Sequence, residues 1–327
     1  MCVRGCFCRI NHFLYGRSFN GLEEFAIIIR CGILTNCKLS CSKGRGIAML
    51  DRKGFTLIEL LVVIAVIAVL MGILMPALRA ARELGRSANC LANERSLVLA
   101  YTMYADDNDS RLVRGHVNQS GLDSPMWVLP PIDAAGSYIS GTPLLEDRFR
   151  GIKRGALYSY IGDPEMYHCP GDNRYQTGAQ EHLRFYRSYI IPDVLSAARK
   201  GFHSWTEVRH QHFPKKLEEI RQTSLKYVFV ESEFQNPNFN YDHGGWSFAP
   251  WIDTRWIDAL ATFHSKSATF GFADGHAERH KWFHSETWRI FVGDLPIETL
   301  QPDPGLNKDW RWCWERFPYL AESEKPR

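Results

Sequence analysis

An excess of either charge is lacking in this chain: 39 Lys and Arg face 36 Asp and Glu in 327 residues, for a formal net charge of +3. Without a basic excess there is no electrostatic footprint for nucleic acid, and no nucleic-acid partner is expected. Tryptophan is missing before Trp127, so all ten residues of that type fall in the C-terminal part. Catalytic signatures are missing as well: G-x-S-x-G, H-E-x-x-H and a phosphate-binding loop do not occur, which removes the usual sequence support for those chemistries. Cysteine is nearly absent after residue 48. Six of the nine (Cys2, Cys6, Cys8, Cys31, Cys37, Cys41) precede that point, and only Cys90, Cys169 and Cys313 follow.

What is abundant is apolar surface. Hydrophobic residues make up 45% of the chain and aromatics 13%, enough for a sizeable core. The chain is organised around one uncharged run, Leu60 to Leu78, which as a helix spans about 28 Å at about 1.5 Å per residue, against a bilayer core of about 30 Å. One carboxylate, Glu59, stands at its start, where an unpaired charge is costly and marks a functional position. Pro76, far along the run, either kinks the helix or frees a backbone acceptor. From Ala77 to about Ala105 the apolar residues keep helical spacing, with Leu84, Ala88, Leu91 and Val98 on one stripe and Leu97, Tyr101 and Tyr104 beside it. The two segments are expected to form one long helix.

The residues leading into the run, Lys53-Gly54-Phe55-Thr56-Leu57-Ile58-Glu59-Leu60, closely resemble the N-terminal processing and methylation signal of type IV pilins and type II secretion pseudopilins. That resemblance implies cleavage after Gly54 by a prepilin peptidase/N-methyltransferase, N-methylation of the new terminus Phe55, and an assembly role for Glu59. It also implies an inner-membrane anchor with a cytoplasmic N-terminus, a body in the periplasm or at the cell surface, and other pilin or pseudopilin subunits as partners. Flanking charge does not settle orientation, since Lys43, Arg45, Arg52 and Lys53 precede the run while Arg79, Arg82 and Arg86 follow it. Residues 1–54 are expected to be a leader removed on processing. Met49 opens a complete short leader of the pilin type, so residues 1–48 are either upstream of the true start or a long genuine leader.

Downstream, Asp106-Asp107-Asn108-Asp109-Ser110 ends the helix. Clustered carboxylates suit calcium, making Asp107 and Asp109 weak ligand candidates, but the glycine and distal glutamate of an EF-hand loop are lacking; a solvated turn is preferred and no cofactor is expected. Residues 111–171 are rich in Gly and Pro, which predicts loops, short strands and no helix longer than two turns, with one helical turn at Gly155–Ile161. Phe185–Ile191, ended by Pro192, and Tyr227–Glu231 read as strands, with a helix or turn at Lys215–Gln222 between them. His203, His210 and His212 lie in a polar loop. Cys90 and Cys169 either bridge, in an oxidising compartment, or remain buried thiols; Cys313 is expected to be buried.

Residues 263–282 form a predicted hairpin. With Asp274-Gly275 as a two-residue loop, Phe270 opposes Arg279, Phe270 and Phe272 share the inner face, and His276, Glu278, His280 and Trp282 lie opposite. His276, Glu278 and His280 can supply metal ligands or acid–base groups; ordinary outward polar alternation is the preferred reading. The spacing His264-x9-Asp274-Gly275 resembles the processing-associated domain of many prepilin-like proteins, as do Cys90 with Asn93, the Tyr104–Asp109 stretch and His168-Cys169-Pro170-Gly171-Asp172. Ser265-Lys266-Ser267 departs from it, because relatives carry more Gly there.

The expected architecture is α+β and pilin-like: residues 55–78 as the transmembrane half of the helix, 79–107 as its exported half, and a body over 108–327 built on an antiparallel sheet of four to six strands. The expected function is that of a non-enzymatic subunit of a type II secretion or type IV pilus-type assembly. Two alternatives differ in class. One is a glycan-binding face from Trp246, Trp251, Trp256, Tyr241 and Asp242; the other is an envelope hydrolase using His264 with Asp274, or His276 with Glu278.

Overall fold

The computed structural model describes residues 56–115, 125–139, 143–172, 186–196, 213–232, 245–246, 248, 256–296 and 307–318. Gly54, Phe55, His203, Trp205, His210, His212, Tyr241, Asp242 and Trp251 lie outside them. The chain divides after Val62 into two units, and the described part of the first is Thr56–Val62.

Helix α1 runs from Leu57 to Asp107, 51 residues, and continues through Pro76, whose missing N–H takes no donor to the Gly72 carbonyl. Its second half buries Ser87, Cys90, Glu94, Leu97, Val98, Tyr101, Tyr104 and Ala105, at spacings of three and four that define one helix face. The expected stripe began at Leu84 and Ala88, yet both are exposed. The helix is rotated so that Cys90 and the tyrosines point inward, because a disulfide from Cys90 and the edge-on packing of Tyr101 against Phe229, 6.0 Å between ring centres, set that face.

The body holds a five-stranded sheet of β1 Tyr189–Pro192, β2 Tyr227–Glu231, β3 Gly245–Trp246, β4 Ser267–Phe272 and β5 Ala277–Lys281, in the order β3-β1-β2-β4-β5. It is mixed rather than purely antiparallel: β1 and β3 pair in parallel, and the other pairs are antiparallel. The expected strand at Phe185–Ile191 begins later and takes in Pro192, which pairs with Trp246. Tyr227–Glu231 is a strand as read from its β-branched and aromatic residues. Helix α2, Leu145–Lys153, contradicts the expectation of no helix beyond two turns in the Gly- and Pro-rich stretch; the Asp147 carboxylate accepts the Leu144 N–H at 2.7 Å and starts it. The predicted turn at Gly155–Ile161 is α3, Tyr158–Ile161.

Both faces of the sheet are covered. One carries Val228 and Phe229 into a core with α1, Trp127, Tyr167, Tyr189 and Leu157. The other carries Tyr227, Val230, Ala268, Phe270 and Phe272 into a second, aromatic core with Trp246, Phe248, Trp256, Trp282, Trp310 and Trp314. Val228 and Phe229 reach the same side because the β2–β4 register shifts between Tyr227 and Phe229. Two helices that the periodicity did not predict, α4 Ser285–Phe291 and α5 Lys308–Arg316, pack on the second core. The side chain of Asn307 accepts the N–H groups of Asp309 and Trp310 at the start of α5, and Lys226 donates to the Glu315 and Phe317 carbonyls at its end. Cys313 is buried in this layer.

At the centre, α1 crosses β4 at Gly271, where an added Cβ would stand 2.7 Å from Cγ2 of Val98. Nothing larger than hydrogen fits unless the Val98 side chain or the strand gives way. Gly271→Ala is expected to lower stability by about 1–3 kcal/mol through overpacking, with Val98→Ala in the same chain recovering part of the loss; thermal melts of the two variants check the coupling.

Candidate functional site

The described start of α1 carries a reciprocal cap. Thr56 donates from its N–H and its hydroxyl to the Glu59 carboxylate, both at 2.8 Å, and Glu59 donates its N–H to the Thr56 hydroxyl at 3.2 Å. The pattern Thr-x-x-Glu signals this in the sequence, and the reading of Glu59 as an assembly residue alone left it out. From Leu57 to Leu78 every residue is exposed, including Leu57, Ile58, Leu61, Ile64, Ile73 and Leu74. The helix is long and apolar enough to cross a membrane, and its apolar side chains find no protein partner in this half among the described residues.

His264 has a different setting. It lies in the turn before β4, where Ser265 and Lys266 adopt left-handed φ of 54° and 62°, a conformation that glycine accepts more readily. Fully buried, its Nε2 lies 3.2 Å from Cys169 Sγ and 3.3 Å from Glu231 Oε1, and its Nδ1 lies 3.1 Å from Glu83 Oε1. Cys169 is bonded to Cys90 of α1, with Cα atoms 5.3 Å apart, so the bridge pins the helix to the body. Glu231 ends β2 and accepts the Thr269 N–H through Oε2 at 2.8 Å. Burial pushes the His264 imidazole down, but bonding to Glu231 and Glu83 outweighs it and holds the ring above its ordinary value. Glu94, one turn along α1 from Cys90, is fully buried; burial and the neighbouring Glu231 charge hold its carboxyl well above the usual range, partly offset by the nearby Thr269 hydroxyl. Around the bridge Asn93 donates to the His168 carbonyl at 3.1 Å, and Ser188 donates to Asp172 at 2.7 Å. Sequence spacing singled out His264, Cys90 and Cys169 but gave no sign of Glu83, Glu94 or Glu231, which come from other elements.

Asp274 and Gly275 sit elsewhere in their bonding. The hairpin loop has three residues, not two: the Phe272 N–H donates to the His276 carbonyl, the Gly275 N–H donates back to the Phe272 carbonyl, and Gly275 takes φ 98°, as a turn followed by a left-handed residue requires. The register therefore slips by one from expectation, with Phe270 opposite Glu278 and Thr269 opposite Arg279. A slip of one exchanges faces. His276, Glu278, His280 and Trp282 thus share a face with Phe270 and Phe272 rather than opposing it. His276 stacks on Phe272 at 4.3 Å and its Nδ1 meets Asp274 Oδ1 at 2.5 Å, while His280 is buried against Trp312 at 4.0 Å. The three proposed ligands do not converge, and Asp274 is bonded to His276 rather than to His264, so the pairings of the hydrolase alternative do not form. In the Asp106–Asp109 turn, Asp107 accepts the Tyr160 hydroxyl at 2.9 Å and Asp109 adopts φ 55°. Trp246 and Trp256 are buried and stacked on Phe248 at 5.1 and 5.4 Å, which removes them from any exposed glycan platform.

A helix that is apolar and solvent-facing in one half and clamped to a mixed sheet in the other defines an α+β protein of pilin-like organisation. Residues 49–75 match the prokaryotic N-terminal methylation motif. Over 94 residues, 29% of this chain and 69% of the relative, it is 47% identical to the type IV wide pilus major component PilA4 of Thermus thermophilus. The chain belongs to the type IV pilin family. No solved structure matches it.

His280 owes its position to Asp309, whose carboxylate also accepts the N–H groups of Phe283 and His284 at 3.0 and 2.9 Å. Burial pushes Asp309 up, but the His280 ring and the two N–H donors win and hold it below the usual carboxylate range. Its stabilising contribution is therefore complete above the unfolded value of about 4 and is lost as pH falls through the folded one. Asp309→Asn is expected to cost about 1–3 kcal/mol near neutral pH, and the gap between the two melting curves should narrow as pH falls through the folded titration of Asp309.

Proposed function

We propose that this chain is a structural subunit of a type IV pilus or type II secretion-type assembly, cut after Gly54, N-methylated on Phe55 and held in the inner membrane by the first half of α1. The body lies outside the cytoplasm, and the anchor helices of neighbouring subunits supply the partners that the exposed side chains from Leu57 to Leu78 lack. The observation that carries this reading is a matched methylation motif leading directly into a fully exposed apolar helix with one carboxylate at its start. In an assembly the α-amine of a neighbouring Phe55 offers Glu59 a counter-charge, removing two unpaired charges from the apolar layer together. The work of such a subunit is mechanical and needs no turnover.

Mass spectrometry of the protein from a membrane fraction should find N-methylated Phe55 as the mature terminus. An intact Met1 or Met49 terminus would exclude processing. Glu59→Ala should still insert into the membrane but fall in filament incorporation by about a hundredfold or more, given the ~3–5 kcal/mol cost of stranding a buried charge. Unchanged incorporation would remove Glu59 from assembly.

A further inference from the structure

We propose that Cys90, Cys169, His264 and Glu231 form a binding site for a four-coordinate divalent transition metal, zinc by preference, when the Cys90–Cys169 bridge is reduced. Their ligand atoms, two Sγ, Nε2 of His264 and Oε1 of Glu231, lie within 4.8 Å of one another, and all four residues are buried. Metal–ligand bonds of about 2.0–2.3 Å place the ligand atoms of a tetrahedral ion roughly 3.3–3.8 Å apart. The separations of His264 Nε2 from Cys169 Sγ, 3.2 Å, and from Glu231 Oε1, 3.3 Å, are already close to that. The two sulfurs must part, which rotation about the Cys side chains allows, and the remaining separations, all within 4.8 Å, need only small adjustments.

The surroundings suit an ion better than a disulfide. A disulfide is neutral and asks for no charged neighbours, whereas this one is packed against a buried imidazole and two buried carboxyl groups, Glu231 and Glu94. Neither oxygen of Glu94 closes a hydrogen bond among the described residues. With the bridge closed, His264 bonded to Glu83 and Glu231 offsets these carboxylates; once the bridge is reduced, two thiolates beside Glu231 call for a dication. The supporting contacts are those of a metal centre. His264 turns Nε2 inward while Nδ1 meets Glu83, the carboxylate–histidine arrangement that fixes ring tautomer and orientation around zinc. Cys169 Sγ accepts the Gly171 N–H at 3.2 Å, which favours the thiolate, and Glu231 keeps Oε1 available by placing Oε2 on the Thr269 N–H. Two sulfurs, an imidazole and a carboxylate form a donor set for zinc rather than for calcium or magnesium.

Disulfide and metal exclude one another at this place. With a phosphine as reductant, the bridge and one water yield two thiols and a phosphine oxide; metal binding then releases the two thiol protons and the Nε2 proton that His264 shares with Glu231. Either state ties α1 to the body, so the anchor helix stays fastened in reducing and in oxidising surroundings.

The test uses the full chain in detergent with Cys2, Cys6, Cys8, Cys31, Cys37 and Cys41 replaced by Ser, so that these six add no thiolates. After phosphine reduction, one equivalent of zinc per chain is expected to survive dialysis, and cobalt should give a thiolate charge-transfer band with the intense visible bands of tetrahedral geometry. Cys169→Ser and His264→Ala should abolish both, and Glu83→Gln, which leaves the four ligands in place, should weaken zinc about 10–100-fold. The oxidised chain should bind none. Because the ligand variants also disturb packing, zinc protection is measured with the ligands intact: zinc should block alkylation of Cys90 and Cys169 together while leaving the chain folded. Equal alkylation with and without zinc, or retention of metal by the Cys169→Ser chain or by the oxidised chain, overturns the proposal.

Discussion

The close seating of the second half of α1 across the sheet is the constraint on which the rest of the fold depends. At Gly271 the helix and β4 approach until only a hydrogen fits between the strand and Val98. A separation that small cannot be held by apolar contact on one side alone. It is held by Tyr101 on Phe229, by the Cys90–Cys169 bridge, and by a second core that stiffens β2 and β4 from behind. The ten tryptophans, all in the C-terminal part, are largely spent on that backing layer, with Trp246, Trp256, Trp282, Trp310 and Trp314 buried in it. A helix whose first half is apolar and exposed is fastened to the body through its second half alone among the described residues.

The same footing explains why polar groups are buried where α1, the end of β2 and the turn before β4 meet. Glu94, Glu231 and His264 have no access to water. Their cost is tolerable only if each is paired or neutralised, and the structure shows His264 bonded on both ring nitrogens and Glu231 bonded through both oxygens. Glu83 and Cys90, seven residues apart on α1, and Cys90 and Glu94, four apart, belong to one helix face, so one rod brings three functional side chains to one place.

The parts of the molecule legible in sequence were those in which a local rule decides the outcome. An uncharged run of bilayer length, a Gly-Phe step with Glu59 beyond it, a β-rich run at Tyr227–Glu231 and the Asp-Gly turn all act over a few residues. Errors came where a count of one mattered. The hairpin loop holds three residues instead of two, and that single residue carried His276, Glu278 and His280 to the other side of β5. The apolar stripe of α1 holds at Leu97, Val98, Tyr101 and Tyr104, all buried, and fails at Leu84 and Ala88, which satisfy the helical period as well as Cys90 and Glu94 do while nothing local distinguishes the face turned to the sheet. Helices α4 and α5 are too short for a sustained pattern, although Thr287, Ile290 and Phe291 in one and Trp310, Cys313 and Trp314 in the other are buried at helical spacing.

The sequence alone therefore determined the membrane-length helix, its processing signal, the α+β class and the family, since each is written in the order and type of neighbouring residues. Only tertiary structure decided the sheet order, with its parallel β1–β3 edge, the register of the hairpin and the company kept by His264. Those depend on which surfaces meet, and Glu83, Cys169 and Glu231 are drawn to one imidazole from three elements that no local rule connects.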